Sequence, residues 1–170
     1  ALSSEEDGKT SKEKFNGLVQ FDRTLTDRSY LAFVGKQERD RFSGFEYQGT
    51  AGLGYGYKWI TTDSVKLATE IGPGYRRDKI DETGQIDEEA IARFVIKYSW
   101  NIRQGVDFIE EFSADWGEKN SIYYSETGLK SQINGSLATK LTYKIKHVDS
   151  VPEGSEKTDT EFGVTLVYSF

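Results

Sequence analysis

The only histidine of the 170-residue chain, His147, lies close to Asp149 and Ser150. A histidine that activates a serine hydroxyl, oriented by a carboxylate, is the machinery of a hydrolase. Side chains of an extended strand share a face only when they are two residues apart, and Ser150 comes three residues after His147. We therefore predict that His147 is a strand-end residue. A hydrolase that modifies outer-membrane lipid remains as the alternative to a function without catalysis.

Alternating glycines at Gly52, Gly54 and Gly56 invite comparison with a phosphate-binding loop. A dinucleotide fingerprint needs a turn from a strand into a helix, whereas these glycines alternate with apolar residues in one extended run. We predict a stripe of small residues on the inner face of a strand, which makes room for large neighbours. Pro73 lies between two further glycines and cannot donate to a strand pairing, so it predicts a bend or a bulge of the strand.

A cluster of carboxylates could in principle hold calcium or magnesium, which prefer oxygen ligands. Its spacing fits no defined metal-binding loop, so we predict a solvated loop without a metal site. Weak cation bridging to lipopolysaccharide phosphates remains an alternative hypothesis. The chain has no cysteine, which excludes a disulfide framework and a thiolate metal site. No cofactor is predicted. The cluster consists of Asp78, Asp81, Glu82, Asp87, Glu88 and Glu89.

A larger set of charged residues recurs at alternate positions of extended segments, opposite a face of apolar residues. Basic and acidic members are interspersed, and neither sign dominates. We predict that this set lines the interior of a β-barrel, where it either fills a narrow lumen with paired charges or leaves a small hydrated passage. The set is Glu46, Lys66, Glu70, Arg93, Lys97, Asp107, Glu111, Asp115, Glu126, Lys130, Lys140, Lys144 and Glu161.

The elements that must position these residues are strands. Period-two alternation predicts nine of them after residue 11, at about 13–23, 28–37, 43–59, 64–76, 88–101, 105–116, 121–133, 136–147 and 159–170. Polar connections at 5–11, 36–42, 76–88, 116–121 and 148–158 alternate with tight turns at 24–28, 61–64, 101–105 and 134–136. Antiparallel strands that return alternately through loops and short turns are typical of an up-and-down transmembrane barrel.

The apolar faces carry aromatic residues near the strand ends, where amphipathic rings can lie at the level of lipid headgroups. The last strand is typical, since Phe162, Val164 and Leu166 share one face and the chain stops at Phe170. We predict two girdles of membrane-interface aromatics: Tyr47, Tyr57, Trp100, Trp116, Tyr168 and Phe170.

Composition narrows the class of protein. The chain is 36% hydrophobic and 29% charged, and it contains no apolar run long enough for a membrane helix. A barrel remains possible because only half of each strand faces lipid. The net charge of −6 disfavours a phosphate backbone, so nucleic acid is not an expected partner. A soluble lipocalin-like ligand-binding barrel, with the aromatic face inside, is a further hypothesis beside the transmembrane barrel and the hydrolase.

Two places fit the barrel poorly. Glu110 falls on the apolar face of its strand, where a charge at the membrane midplane is costly. The segment from Tyr30 to Val34 is apolar on both faces. The strand count adds a third difficulty, because bacterial single-chain barrels have an even number. Residues 1–4 resemble the end of an earlier strand, which predicts that amino-terminal barrel strands are missing from this sequence.

Three segments resemble a bacterial outer-membrane family described as salt-induced, whose domain has no known function. They are YLAFVGKQERDRFSGFEYQGTAGLGYGYKWI from Tyr30, IGPGYRRD from Ile71 and KTDTEFGVTLVYSF at the end of the chain. The resemblance covers essentially the whole chain. It implies a bacterial outer-membrane location, a barrel of about twelve strands when complete and no established activity.

The expected function is therefore a non-enzymatic envelope or stress protein with a narrow charged lumen that could pass small solutes. Its expected partners are outer-membrane lipid and lipopolysaccharide. The barrel-assembly machinery is a further expected partner, through the carboxy-terminal strand.

Overall fold

The computed structural model describes residues 2–6, 9–40, 45–80, 83–133, 137–151 and 155–168. None of these residues forms a helix that could cross a membrane. They form ten strands: β1 (Leu2–Glu6), β2 (Lys9–Thr24), β3 (Ser29–Asp40), β4 (Phe45–Thr61), β5 (Val65–Ile80), β6 (Ile86–Arg103), β7 (Val106–Gly117), β8 (Ser121–Gln132), β9 (Leu137–Val148) and β10 (Thr158–Tyr168).

The strands make one sheet in which every strand pairs antiparallel with its neighbours along the chain. The predicted all-β, up-and-down architecture is confirmed. β1 is a five-residue strand, and the nine longer strands β2–β10 match the nine predicted segments. Within the described ranges β1 and β10 are not paired with each other, so the sheet is not seen as a closed ring.

Several strands run further than the sequence predicted, and the predicted polar connections at 5–11, 36–42 and 76–88 were wrong in extent. β5 continues to Ile80 and β6 begins at Ile86. The charges in this segment pair across the two strands, Arg76 with Glu89 and Arg77 with Glu88, each directly opposite in the register. Opposite charges facing each other on neighbouring strands stabilise pairing. A run of charge was therefore misread as a loop.

Short connections join the strands at one of their two ends, where they follow residues 24, 61 and 103. We call this end of the strands the turn end. The Thr26 hydroxyl accepts the backbone N–H of Ser29 at 3.0 Å, and Thr62 does the same for Val65 at 2.9 Å. Gly105 has φ 79°, which a side chain would make costly. The predicted turn at 134–136 lies outside the described residues. The opposite end of the strands is called the loop end.

One face of the sheet is apolar and exposed, and we call it the outer face. Leu166 is 69% exposed and Phe162 is 67% exposed. Outer-face residues of the central strands include Leu53, Tyr55, Ile71, Trp100 and Leu141, each also exposed. These exposed residues follow the period-two alternation from which the sequence predicted the strands.

The other, inner face carries most of the buried residues. In β3 its side chains are Tyr30, Ala32, Val34, Lys36 and Glu38, while Phe33 points outward, which explains why this segment is apolar on both faces. A small aliphatic core also lies on this face: Val34, Ile91, Val95, Ile122 and Val148.

Inner-face glycines make room for this packing, as the sequence predicted. A Cβ on Gly56 would lie 2.2 Å from the Tyr30 ring, and a Cβ on Gly74 would lie 3.0 Å from Ile91. The strand pairing between β4 and β5 is interrupted beside Pro73 without a change of register. There a Cβ on Gly72 would lie 2.0 Å from the Leu53 carbonyl oxygen. The two strands therefore approach too closely for any side chain at this point.

The sheet curls strongly enough to bring its distant strands together across the inner face. The Tyr124 hydroxyl of β8 donates to a Glu38 carboxylate oxygen of β3 at 3.1 Å. Lys146 of β9 lies 3.0 Å from the other oxygen of Glu38 and donates to Gln48 of β4 at 2.7 Å. Strands five and six places apart in the sheet are thus joined directly, and the inner face is the concave one.

Candidate functional site

The interior of the curled sheet is held by a cluster centred on Glu38, which is 4% exposed. Besides Tyr124 and Lys146, Glu38 has Lys36 at 3.8 Å from the same oxygen that accepts Tyr124. The Lys36 ammonium lies 3.3 Å from the centroid of the Tyr124 ring, which is a close cation–π contact. Two cations, a hydroxyl and an aromatic face therefore surround one buried carboxylate. We call Lys36, Glu38, Gln48, Tyr124 and Lys146 the cross-sheet cluster.

A second group of ion pairs joins inner-face side chains of β5, β6 and β7. Glu70 accepts the Tyr30 hydroxyl at 2.7 Å and the Lys97 ammonium at 2.5 Å. Arg93 bonds both oxygens of Asp115 from one nitrogen, at 2.7 and 3.1 Å. Buried ions need partners of opposite charge, because desolvation alone would cost several kcal/mol per ion. These pairs meet that need between neighbouring strands.

Arg76 joins the interior to the loop end and is only 1% exposed. It pairs with Glu89, lies 3.3 Å from Asp78 and donates to the Asn120 carbonyl oxygen at 2.5 Å. Asn120 in turn accepts from the Ser150 N–H at 2.9 Å and donates to the Ser150 carbonyl at 2.8 Å. One buried guanidinium thus connects β5 and β6 to the connections that follow β7 and β9.

A cavity of about 370 Å³ lies between these groups. Its lining comes from seven strands and alternates in sign: Lys36, Arg93, Lys144 and Lys146 against Glu38, Glu111, Glu126, Asp159 and Glu161. No group of three or more His, Cys, Asp or Glu side chains among the described residues could hold a metal ion. The arrangement suits water and small polar solutes better than an apolar ligand.

A family model described as Protein of unknown function, DUF481, matches residues 1–170, the whole sequence. The chain belongs to this family. The search of curated proteins gave no match. The DUF481 match agrees with the part of the sequence resemblance that concerns a domain of unknown function. The salt-induced and outer-membrane parts of that resemblance stay predictions.

Most of the charged residues that the sequence singled out lie on the inner face of the DUF481 sheet. Pairs of opposite sign are formed by Glu70 with Lys97, Arg93 with Asp115, and Glu126 with Lys140 and Lys144, at 2.5 to 3.6 Å. Glu111 and Glu161 line the cavity. Nearer the turn end lie Lys66, Lys130 and Asp107, the last accepting from Asn101 at 2.7 Å.

Glu46 is placed apart from this set. It lies in an irregularity of the pairing between Phe45 and Tyr47. Its carboxylate is 2.5 Å from Lys79, which alternates to the outer face of β5 beyond the inner-face Asp78. A β-bulge inserts one residue and shifts the alternation. The sequence predicted Glu46 on the inner face because the alternation was continued through this position without a bulge.

Four predicted interface aromatics are described. Tyr57 and Trp100 are near the turn end, and Tyr47 and Trp116 are near the loop end. Trp100 is 42% exposed and Trp116 is 44% exposed. The Tyr168 side chain and the whole of Phe170 lie outside the described residues.

Sequence reasoning missed the whole cross-sheet cluster and Arg76. Lys36, Glu38 and Arg76 were assigned to connections, although each continues the inner-face alternation of its strand from Val34 or Glu70. That continuing period was the available signal. The contact of β3 with β8 and β9 has no counterpart in local pattern.

In this DUF481 structure the ring nitrogens of His147 contact Thr158 and Asp149, and the hydrolase alternative stays a hypothesis. The Ser150 backbone is held by Asn120, whereas His147 Nδ1 bonds the Thr158 hydroxyl at 2.8 Å and Nε2 lies 3.5 Å from Asp149.

The predicted acidic cluster is divided between two strands. Asp78 is a buried inner-face residue of β5 beside Arg76, so its assignment to a loop was wrong, and residues 81 and 82 lie outside the described part. The other three members, Asp87, Glu88 and Glu89, belong to β6.

Proposed function

We propose that this DUF481 protein is a β-barrel of the bacterial outer membrane that has no catalytic activity and contributes to the envelope under stress. Its outer face contacts lipid, and its inner face encloses a narrow, charged lumen that passes only small solutes. One observation carries the proposal: exposed aromatic and aliphatic side chains lie on the convex face while paired ions lie inside.

The distribution of polarity supports a membrane environment. In a soluble barrel the apolar face fills the interior, whereas a transmembrane barrel has an apolar outer band and a polar interior. Phe162, Leu166 and Ile71 are each at least 60% exposed, while Asp115 and Glu38 are below 5%. This argues against the lipocalin-like alternative, which needs the reverse.

The lengths of the strands also support it. A barrel strand crosses a membrane in about 9–11 residues, and β2–β10 have 11 to 18 residues each. The three tryptophans lie on the outer face near strand ends, Trp59 and Trp100 at the turn end and Trp116 at the loop end. Such positions suit two interfacial girdles.

The cross-sheet cluster supports a tight lumen. Contacts from β3 to β8 and β9 span the interior directly, which leaves the cavity of about 370 Å³ beside them. With both signs of charge lining this space, we expect weak ion selectivity.

The experiment uses tryptophan fluorescence in vesicles whose lipids carry bromine on the acyl chains, because bromine quenches only rings that touch lipid. In a background in which Trp59, Trp100 and Trp116 are phenylalanine, a single tryptophan is placed by Leu141→Trp or by Thr142→Trp. Leu141 is on the outer face, and Thr142 is on the inner face between Gly128 and Gly163, two neighbours without side chains.

We expect strong quenching for Leu141→Trp and little for Thr142→Trp, since adjacent strand residues face opposite sides. The two variants are matched controls for each other. Equal quenching, or a chain that stays monodisperse in buffer without detergent and is quenched in neither variant, would overturn the proposal.

A further inference from the structure

A groove of about 570 Å³ lies in the outer face across β2, β3, β4 and β5, toward the loop end. Its walls are apolar and largely aromatic: Phe15, Val19, Tyr47 and Tyr75. Phe15 is 57% exposed, so the walls stand out from the sheet. We call this feature the outer groove.

The floor of the outer groove includes Gly17, Gly35 and Gly49 on three neighbouring strands. Unlike Gly56, Gly72 and Gly74 on the inner face, these three have room for a side chain: a Cβ on Gly35 would meet nothing within 4 Å, and on Gly49 the nearest atom would be 3.6 Å away. Glycine in a strand interior weakens it and often marks a bulge, a tight bend or a site where a ligand or another backbone approaches closely. The strand pairing is regular at all three positions, so no bulge accounts for them. Packing within the described chain does not explain these glycines.

Basic residues border the groove. Arg77 lines it, and Arg39 and Lys79 lie one step nearer the loop end on the same face. The acidic counterparts are Glu46, at 2.5 Å from Lys79, and Glu88, at 3.3 Å from Arg77. Arg77 is half exposed. Its guanidinium can therefore bond Glu88 and still offer donors to an anion beside the groove.

We propose that the outer groove binds one anionic lipid, with an acyl chain along the glycine floor and a phosphate bonded by Arg77. This rests on the proposed membrane location, because the groove is continuous with the face that would contact lipid. An apolar channel with a guanidinium at its rim complements a molecule that is apolar along its length and anionic at one end.

The experiment is native mass spectrometry of the detergent-purified chain with phosphatidylglycerol, compared with phosphatidylcholine. We expect wild type to retain one phosphatidylglycerol in preference. Gly35→Leu should fold, since the site has room, and should abolish the adduct by filling the floor. Thr139→Leu adds apolar bulk to the outer face of β9 and is the control.

Arg77→Gln tests the headgroup contact. We expect about a tenfold loss of preference for phosphatidylglycerol, the size of one charge-assisted hydrogen bond, with phosphatidylcholine binding unchanged. Arg103→Gln, at the turn end, removes the same charge far from the groove. Equal adducts in wild type and Gly35→Leu would overturn the proposal, as would chain dimers that Gly35→Leu dissociates. The bromine experiment reports membrane contact separately, so a chain quenched at Leu141→Trp but without a groove adduct refutes only the lipid site.

Discussion

At the scale of single residues, Glu110 shows how a charge can remain on the apolar outer face. Its two oxygens accept the hydroxyls of Ser125 at 2.8 Å and Thr127 at 2.6 Å, both from the neighbouring strand β8. Hydrogen bonds to an ionised group are worth about 1.5–3 kcal/mol. The sequence marked Glu110 as a misfit, and no β-bulge moves it off the outer face, because β7 and β8 keep a regular register through this position.

We therefore expect the free energy of unfolding in lipid vesicles to fall when both hydroxyls are removed by Ser125→Ala with Thr127→Val. The loss should be about 2–4 kcal/mol, because the Glu110 carboxylate is left with no donors from β8. Urea titration followed by tryptophan fluorescence measures it. Adding Glu110→Gln to this double variant should recover part of the loss, since no charge remains to be stabilised. A double variant as stable as wild type would show that the hydroxyls do not stabilise the carboxylate.

At the scale of elements, the glycines of β4 are not equivalent. A Cβ on Gly54 would lie 3.7 Å from Glu70, an ordinary contact, whereas on Gly56 it would overlap the Tyr30 ring. That ring crosses β4 to reach Glu70 on β5. Gly56 therefore lets one side chain tie β3 to β5 across the strand between them.

Gly56→Ala should lower the free energy of unfolding by about 1–3 kcal/mol, since the ring must move and the Tyr30–Glu70 bond is lost. Gly54→Ala is the matched control and should leave stability within about 1 kcal/mol. Both are measured by denaturant titration. Similar losses in the two variants would mean that general strand propensity, rather than the Tyr30 contact, decides the outcome.

The elements were predicted well from the sequence, because alternation is local. The outer-face residues of β5, from Val65 to Tyr75, alternate without a break. Strand ends were less well predicted, since Arg76, Arg77, Glu88 and Glu89 form a polar run that only cross-strand pairing reveals as sheet.

At the scale of the whole molecule, the cross-sheet cluster decides how far the sheet curls. A sheet with free edges twists but does not need to bring β3 against β9. The contacts of Glu38 with Tyr124 and Lys146 hold it in that curvature. This part of the site could not be predicted, because it joins residues 86 and 108 positions apart in the chain.

We expect Glu38→Gln alone to cost about 3–5 kcal/mol, because it leaves the buried Lys146 ammonium without this carboxylate partner, and we expect Lys146→Met added to it to recover part of that loss. A double-mutant cycle on the unfolding free energy measures the coupling.

In planar bilayers, Glu38→Ala should raise the conductance over wild type, since it removes the carboxylate that joins the two sides. Lys66→Ala, at the turn end, is the control. Additive free energies would show that the pair is not coupled, and an unchanged conductance would argue against a lumen obstructed by this cluster.

The paired bonds between Asn120 and Ser150 unite two connections that are 30 residues apart in the chain. A surface assembled from both exists only while the fold is intact. An antibody raised against this end of the native protein would therefore recognise a discontinuous epitope. It should give no signal on a denaturing blot, and Asn120→Ala should abolish its binding.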